Sequence, residues 1–509
     1  MFDPLALSVV GHAVSMVAEE MGTILERGAL SPNIRERRDA SCALFDAAGR
    51  MIAQAAHIPV HLGAMPESVR AVRDRSPQAG DVFLLNDPFR GGSHLPDLTL
   101  VEVIGADDGM IVGFAAVRAH HADVGGISPG SMPQGATELV QEGIIIPPIC
   151  VARKAGWVAD VLELVLANVR TPDERRGDLE AQRAACAAGR DGWLALRARL
   201  GAAALAEASD ALLDYTERRA RARVTQLNGA RGSARDMLEG DGVTEDDIAV
   251  VVALEALGDR LRIDFTGTSP AVAGNVNCPV AVTRAACVFV LRTLLDDDVP
   301  TNDGIARALE LVVPAGCAIN AAWPSAVAAG NVEMSQRITD TLFAAFANAG
   351  VPVPAQGQGT MNNITFGGAG WTFYETLGGG QGASAKGDGP SAVHVGMSNT
   401  RNTPIESLEH AYPIRVDEYA IRRGSGGDGA FRGGDGIIRR YRVLERCTVT
   451  LLTERRRHAP AGAAGGSPGR PGRNLLNGRP VPAKCRIQLQ PGDVVTVETP
   501  GGGGWGRPA

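Results

Sequence analysis

A chain of 509 residues, 45% apolar and 21% charged, can bury a large core and should fold as two or more domains in contact. Its net charge of -7 argues against a nucleic-acid partner, because phosphate binding needs a concentrated basic surface; the one basic knot, Glu454 to His458, is too short to reverse this. The first stretch, Met1 to Met21, carries Asp3, His12, Glu19 and Glu20 and so lacks the form of a secretion signal. No window nears the length of a bilayer-spanning helix, and the expectation is a cytoplasmic protein with no membrane attachment.

Residues 5–28 place apolar positions at helical spacing and end at Gly28, which predicts a capped amphipathic helix. From about Ser31 to Pro148 the pattern turns to short β-like runs. Those at 97–104 and 110–120 flank a GADDG turn and read as a hairpin; another run covers 81–86. Residues 158–240, rich in Ala, Arg, Glu and Leu, read as several helices. Two strand candidates, DIAVVVALEAL and DRLRIDFTG, open a third region, and Gly-rich loops alternating with runs such as CTVTLLTE and DVVTVETP make a fourth. The predicted class is α+β, a large multi-domain chain in four regions. These are a β-rich N-terminal region (1–157), a helical segment (158–245), a mixed α/β region (246–350) and a Gly-rich, β-containing C-terminal region (351–509). The 63 Gly beside only 4% aromatics imply long loops with close backbone packing, and eight scattered Cys without a CxxC pair read as buried thiols.

Five of the nine His fall between positions 57 and 121. The stretch GGSHLPD delivers His94 and Asp97 just before one hairpin strand, and RAHHADVGG places His120, His121 and Asp123 at the end of the other. An antiparallel hairpin brings the start of its first strand beside the end of its second, so these two groups should converge. Mixed imidazole and carboxylate donors suit a divalent ion such as Zn²⁺ or Mn²⁺. Because side chains alternate along a strand, only one of the two adjacent histidines can face His94; the face of Arg118 selects His120.

The stretches NIRERRDASCALFDAAGRMIAQAAHIPVHLGAMPESV, GDVFLLNDPFRGGSHLPDLTLV and RAHHADVGG resemble the hydantoinase B/oxoprolinase family. So do GNVNCPVAVTRAA, GNVEMSQRITD, NTRNTPIESLEHAYP, GDGAFRGGDGI and GGGGWG, in order from about residue 5 to 505. The resemblance implies the B-type subunit of an ATP-dependent hydantoinase, 5-oxoprolinase or lactamase. In such a system an A-type partner uses ATP and Mg²⁺ to phosphorylate a cyclic amide, and the B-type chain completes ring opening with water. It further implies metal ligands at His94, Asp97 and His120. An additional acidic ligand would come from NIRERRD, Asp39 by the lactamase and hydantoinase pattern or Glu36 by the carboxylase pattern. Asp123 and His121 are then candidate catalytic or ligand-orienting residues, with capping of the Gly125-Gly126 turn the alternative for Asp123.

The chain contains no GxxxxGK[ST] phosphate loop, which agrees with ATP being handled by another chain. The Gly-rich runs at 424–436 and 461–472 read as packing loops or partner contacts, and the polar runs 357–363 and 375–382 as turns or pocket walls. Two other readings are an acetone-carboxylase-like α subunit and a non-catalytic scaffold for the A-type ATPase.

Overall fold

The computed structural model describes residues 3–56, 58–61 and 63–508; His57, one of the five clustered histidines, lies outside the described residues. The predicted first helix is α1 (Pro4–Gly28), opened by Asp3, whose carboxylate accepts from the Ala6 amide. A short α2 (Pro32–Arg35) follows, and then a seven-stranded sheet. Its members are β1 (Ala40–Asp46), β2 (Met51–Ala56), β3 (Val82–Leu85), β4 (Asp97–Gly105), β5 (Ile111–His120), β6 (Ile149–Arg153) and β7 (Gly156–Trp157), in the order β2-β1-β5-β4-β3-β6-β7.

Strand alternation divides this sheet's residues between two cores. Ala115, Val117 and Ala119 of β5 pack with Val14 and Met21 of α1, whereas Phe114 and Ala116 pack with Met65, Val69 and Val72 of α3 (Met65–Arg73).

The helical segment comprises α4 (Ala159–Ala167), α5 (Pro172–Leu200) and α6 (Ala202–Gln226). It has no core of its own: Leu179, Ala185, Leu205 and Leu213 share the core of α1 and the sheet. The expected helices to residue 240 stop at Gln226, and Arg231–Glu239 is instead strand β8. The Ala/Arg composition of this stretch resembles the preceding helices, but Gly232 allows close approach to a helix behind it. A Cβ there would sit 2.1 Å from Ala345 O.

Strand β8 joins β9 (Asp247–Leu257), β10 (Arg260–Asp264) and β11 (Leu309–Val312) in a second sheet, ordered β11-β10-β9-β8. Against it pack α7 (Val280–Thr293) and α8 (Ser335–Asn348), in a core holding Val250, Leu291 and Leu342. A π-helical turn, Gly330–Met334, leads into α8.

Beyond residue 351 lie two more sheets and α9 (Ile405–Ala411). One sheet is ordered β13-β12-β16-β19, from β12 (Asn363–Gly368), β13 (Trp371–Glu375), β16 (Cys447–Leu452) and β19 (Lys484–Leu489). The other is ordered β14-β15-β20-β17-β18, from β14 (Ile414–Arg422), β15 (Gly436–Val443), β17 (Arg473–Leu476), β18 (Arg479–Pro480) and β20 (Val494–Glu498).

Around these sheets the Gly-rich runs interleave backbone against backbone. Gly427 N donates to Gly502 O, Gly434 N to Gln381 O, and Gly504 N to Ser467 O. A Cβ on Gly502 would lie 2.1 Å from Gln381 O, so only glycine fits. Among the described residues no helix is long and apolar enough to cross a membrane.

Candidate metal centre

Register across the first sheet sets the centre. Asp97 on β4 is the cross-strand partner of His120 on β5. On the other side of β5, Ala40 pairs with Ala119, and the His120 amide donates to Asp39 O at 3.0 Å. Asp39, His120 and Asp97 therefore form a row across three adjacent strand ends, on the sheet face that α3 covers.

His94 enters from the turn before β4. Asp87 holds that turn, its carboxylate accepting from Phe89 N and its carbonyl from Gly92 N. A side chain on Gly92 would meet Asn86 O at 2.2 Å. The Asp97 amide donates back to His94 O, which closes the loop.

One donor atom from each of His94, Asp97 and His120 lies within 4.8 Å of the others, and all three residues are buried. His94 Nε2 is 3.1 Å and His120 Nδ1 3.4 Å from Asp97 Oδ1. His94 Nδ1 faces Ala328 O at 3.0 Å, so it carries a proton, and Nε2 is the nitrogen turned toward the carboxylate. His94 Nε2 and His120 Nε2 find no hydrogen-bond partner. Leaving such buried nitrogens unmatched costs ~1–3 kcal/mol each, a penalty that coordination would remove.

Two electron-rich atoms 3.1 Å apart call for a cation or a proton between them. Burial would lower the His94 pKa, yet Asp97 and the Ala328 carbonyl raise it. Burial would raise the Asp97 carboxyl, yet His94, His120 and His61 hold it well below the usual carboxylate range. Burial lowers His120 to about 3, which leaves a neutral imidazole, the form that ligates metal. A buried set of imidazoles and carboxylate fits Zn²⁺ or Mn²⁺ in donor type.

The surroundings orient these groups. Ser93 Oγ and Asn331 Nδ2 donate to Asp97 Oδ2 at 2.6 and 3.3 Å, and His61 Nε2 lies 3.5 Å from the same oxygen. This leaves Oδ1 facing the two histidines. The Glu142 carboxylate accepts from Val327 N and Ala328 N, and so fixes the carbonyl that sets the His94 tautomer. The Tyr374 ring stacks on His120, with centroids 4.5 Å apart.

The other expected residues fall in different places. Asp39 is 5% exposed; its carboxylate lies 3.6 Å from Arg37 Nη2, and burial raises its pKa to about 7. Glu36 is half-buried beside Arg35, 3.7 Å away, and makes no polar contact with the cluster. His121 points to the opposite face, where its Nε2 meets Gln182 Oε1 at 2.9 Å. Asp123 is committed to its loop, accepting from Gly125 N, Gly130 N and Arg170. The catalytic roles considered for His121 and Asp123 thus meet side chains already engaged in packing and turn formation. Of the polar runs, Gln358 and Asn362 donate to Leu377 O and brace the backbone.

An α+β fold with a buried histidine–carboxylate cluster at the end of one sheet defines the class. The chain belongs to the hydantoinase B/oxoprolinase family, whose profile matches residues 3–508. It is 37% identical to 5-oxoprolinase 1 of Arabidopsis thaliana over 99% of this chain but 42% of that protein, so it spans about two fifths of such relatives. It is 30% identical to a putative D-/L-hydantoinase B-type subunit of a Pseudomonas species, over 99% of this chain and 90% of the relative. The crystal structure of an ATP-dependent caprolactamase from Pseudomonas jessenii superposes with a TM-score of 0.92 at 27% identity, covering 100% of this chain and 92% of that one. An acetone carboxylase structure shares the fold at a TM-score of 0.88 and 19% identity, over 99% of this chain and 76% of that one.

Proposed function

We propose that this chain is the metal-binding, hydrolytic B-type subunit of an ATP-dependent cyclic amidohydrolase. Its substrate is a hydantoin, 5-oxoproline or lactam ring, and an A-type partner supplies phosphorylation from ATP and Mg²⁺. The observation that carries the reading is the convergence of His94 and His120 on Asp97, with imidazole nitrogens left unmatched. His94, Asp97 and His120 would hold Zn²⁺ or Mn²⁺, and Asp39, next in the row, would complete the donor set. A bound divalent cation supplies Lewis acidity, polarising an oxygen or lowering the pKa of water.

The protein's own residues do the positioning. Ser93 and Asn331 fix the Asp97 carboxylate, Ala328 fixes the proton of His94 on Nδ1, and Tyr374 covers one face of His120. Unstrained amides resist hydrolysis because expelling nitrogen from a resonance-stabilised carbonyl is costly, and phosphorylating the oxygen turns it into a leaving group. A relative 90% covered by this chain is named as one subunit of a hydantoinase, which supports a division of labour between two chains.

Co-expression with an A-type chain and a panel of cyclic amides, read by ATP turnover, tests the reading. Ring opening that needs both chains is expected, with neither ATP nor amide consumed by this chain alone. Robust ATP turnover by the isolated chain, once contaminants are excluded, overturns it.

A further inference from the structure

A cavity of about 890 Å³ lies between the helical segment, α7, α8 and the C-terminal region. Its walls carry Arg219, Arg223, Gln381, Ser384, Lys386 and His394 among others. Arg219 is neutralised between Asp296 and Asp298, at 2.8 and 3.0 Å. The other two cations are not. Among the described residues Arg223 bonds only Gln226 Oε1, its Nε is buried without a partner, and it meets no carboxylate. Lys386 is exposed, and among the described residues its ammonium has no ion pair; its backbone amide donates to Ser384 Oγ. Two cations without a carboxylate partner, Lys386 exposed and Arg223 half-buried, stand beside hydroxyl and amide groups and together suit an anion with several oxygens.

Four side chains, His394, Thr400, Thr376 and Arg37, link the cavity wall to Asp39. His394 Nε2 lies 3.3 Å from Thr400 Oγ1, which lies 2.8 Å from Thr376 Oγ1. Thr376 accepts from Arg37 Nη2 at 2.7 Å, and the same nitrogen is 3.6 Å from Asp39. On another wall, Pro59 opens the 3-10 turn that carries His61. The loop at Gly396 is clipped to α8 by Gln336 Nε2 on Val395 O.

We infer that this cavity binds a small phosphorylated compound, with Lys386 and Arg223 compensating the phosphate charge. The inference rests on the reading that an O-phosphorylated ring compound is the intermediate. The same chemistry would also hold free phosphate, released as product, or the phosphates of a nucleotide.

Titration calorimetry of the full purified chain with inorganic phosphate, propylphosphonate and ADP separates these sources. Phosphate and the phosphonate are expected to bind, and ADP no more tightly than either. Lys386→Ala and Arg223→Gln should each weaken phosphate roughly tenfold, while Lys386→Arg, which keeps the charge, stays close to wild type. His94→Ala should leave phosphate binding intact, which separates the cavity from phosphate held by a metal ion. Tighter binding of ADP, phosphate binding indifferent to Lys386→Ala and Arg223→Gln, or loss of it in His94→Ala alone overturns the inference. Phosphate binding that depends on Lys386 and Arg223 in a protein containing no metal would leave this cavity assigned and defeat the metal reading instead.

Discussion

Asp97 and His120 face each other across β4 and β5 as register partners, with Asp97 Oδ1 3.4 Å from His120 Nδ1. Both are buried, and His94 closes on the same oxygen from the preceding turn. A cross-strand pair cannot relax apart without disturbing the ladder, so this cluster is held rigid.

Metal content follows directly. Elemental analysis of the purified protein should find close to one equivalent of Zn or Mn per chain. His94→Ala and Asp97→Asn should each lower affinity by ~10–100-fold or more and empty the site during dialysis against chelator. Full metal retention in His94→Ala would remove the centre from this cluster.

His121 separates ligation from packing. It meets Gln182, whose amide donates to Leu98 O and Val117 O behind the sheet. His121→Ala is expected to keep the metal and to lose stability, by ~1–3 kcal/mol, from the buried Gln182 oxygen left unmatched. Metal loss in His121→Ala with retention in His120→Ala would reverse the assignment.

The Gly layer makes a sharp pair of substitutions. Gly502→Ala forces a Cβ to 2.1 Å from Gln381 O, whereas Gly387 has no neighbour within 4 Å. Gly502→Ala should destabilise by ~1–3 kcal/mol or more, seen as a lower melting temperature or loss of soluble protein. Gly387→Ala should melt like wild type. Equal melting of the two variants would contradict the close approach.

Asp236 gives a pH dependence away from the metal centre. Burial would raise its carboxyl, but Arg337 and Arg455 hold it well below the usual range. A folded pKa beneath the unfolded value means the unfolded chain binds more protons in between, so the contribution is complete above ~3.9 and lost as pH falls toward the folded value. The difference in melting temperature between wild type and Asp236→Asn should therefore shrink on going from about pH 6 to about pH 3. A difference that is constant over that range would exclude this linkage.

The hairpin and its residues were legible because strand alternation has period two. Once 97–104 and 110–120 are paired, the faces of Asp97, His120 and His121 follow without further information. The supporting groups were not legible. Asn331 and Ala328 reach the cluster from more than 200 residues away, and Tyr374 from farther still, by packing between regions that local pattern does not encode. His61 had a weak signal, as one of five clustered histidines, but the turn at Pro59–His61 that aims it at Asp97 does not announce itself. Strand β8 was hidden by its Ala and Arg content, since its partner strand and α8 decide its conformation rather than its own propensity.

The interleaved glycines also set an order on synthesis. The amides of Gly380, Ala383 and Gly427 find their acceptors on Pro500, Gly503 and Gly502. On the ribosome these acceptors emerge more than seventy residues after the donors. A nascent chain therefore carries this layer open until Pro500, Gly502 and Gly503 clear the exit tunnel, and stalling before Pro500 leaves a half-built backbone stack for chaperones and proteases to find.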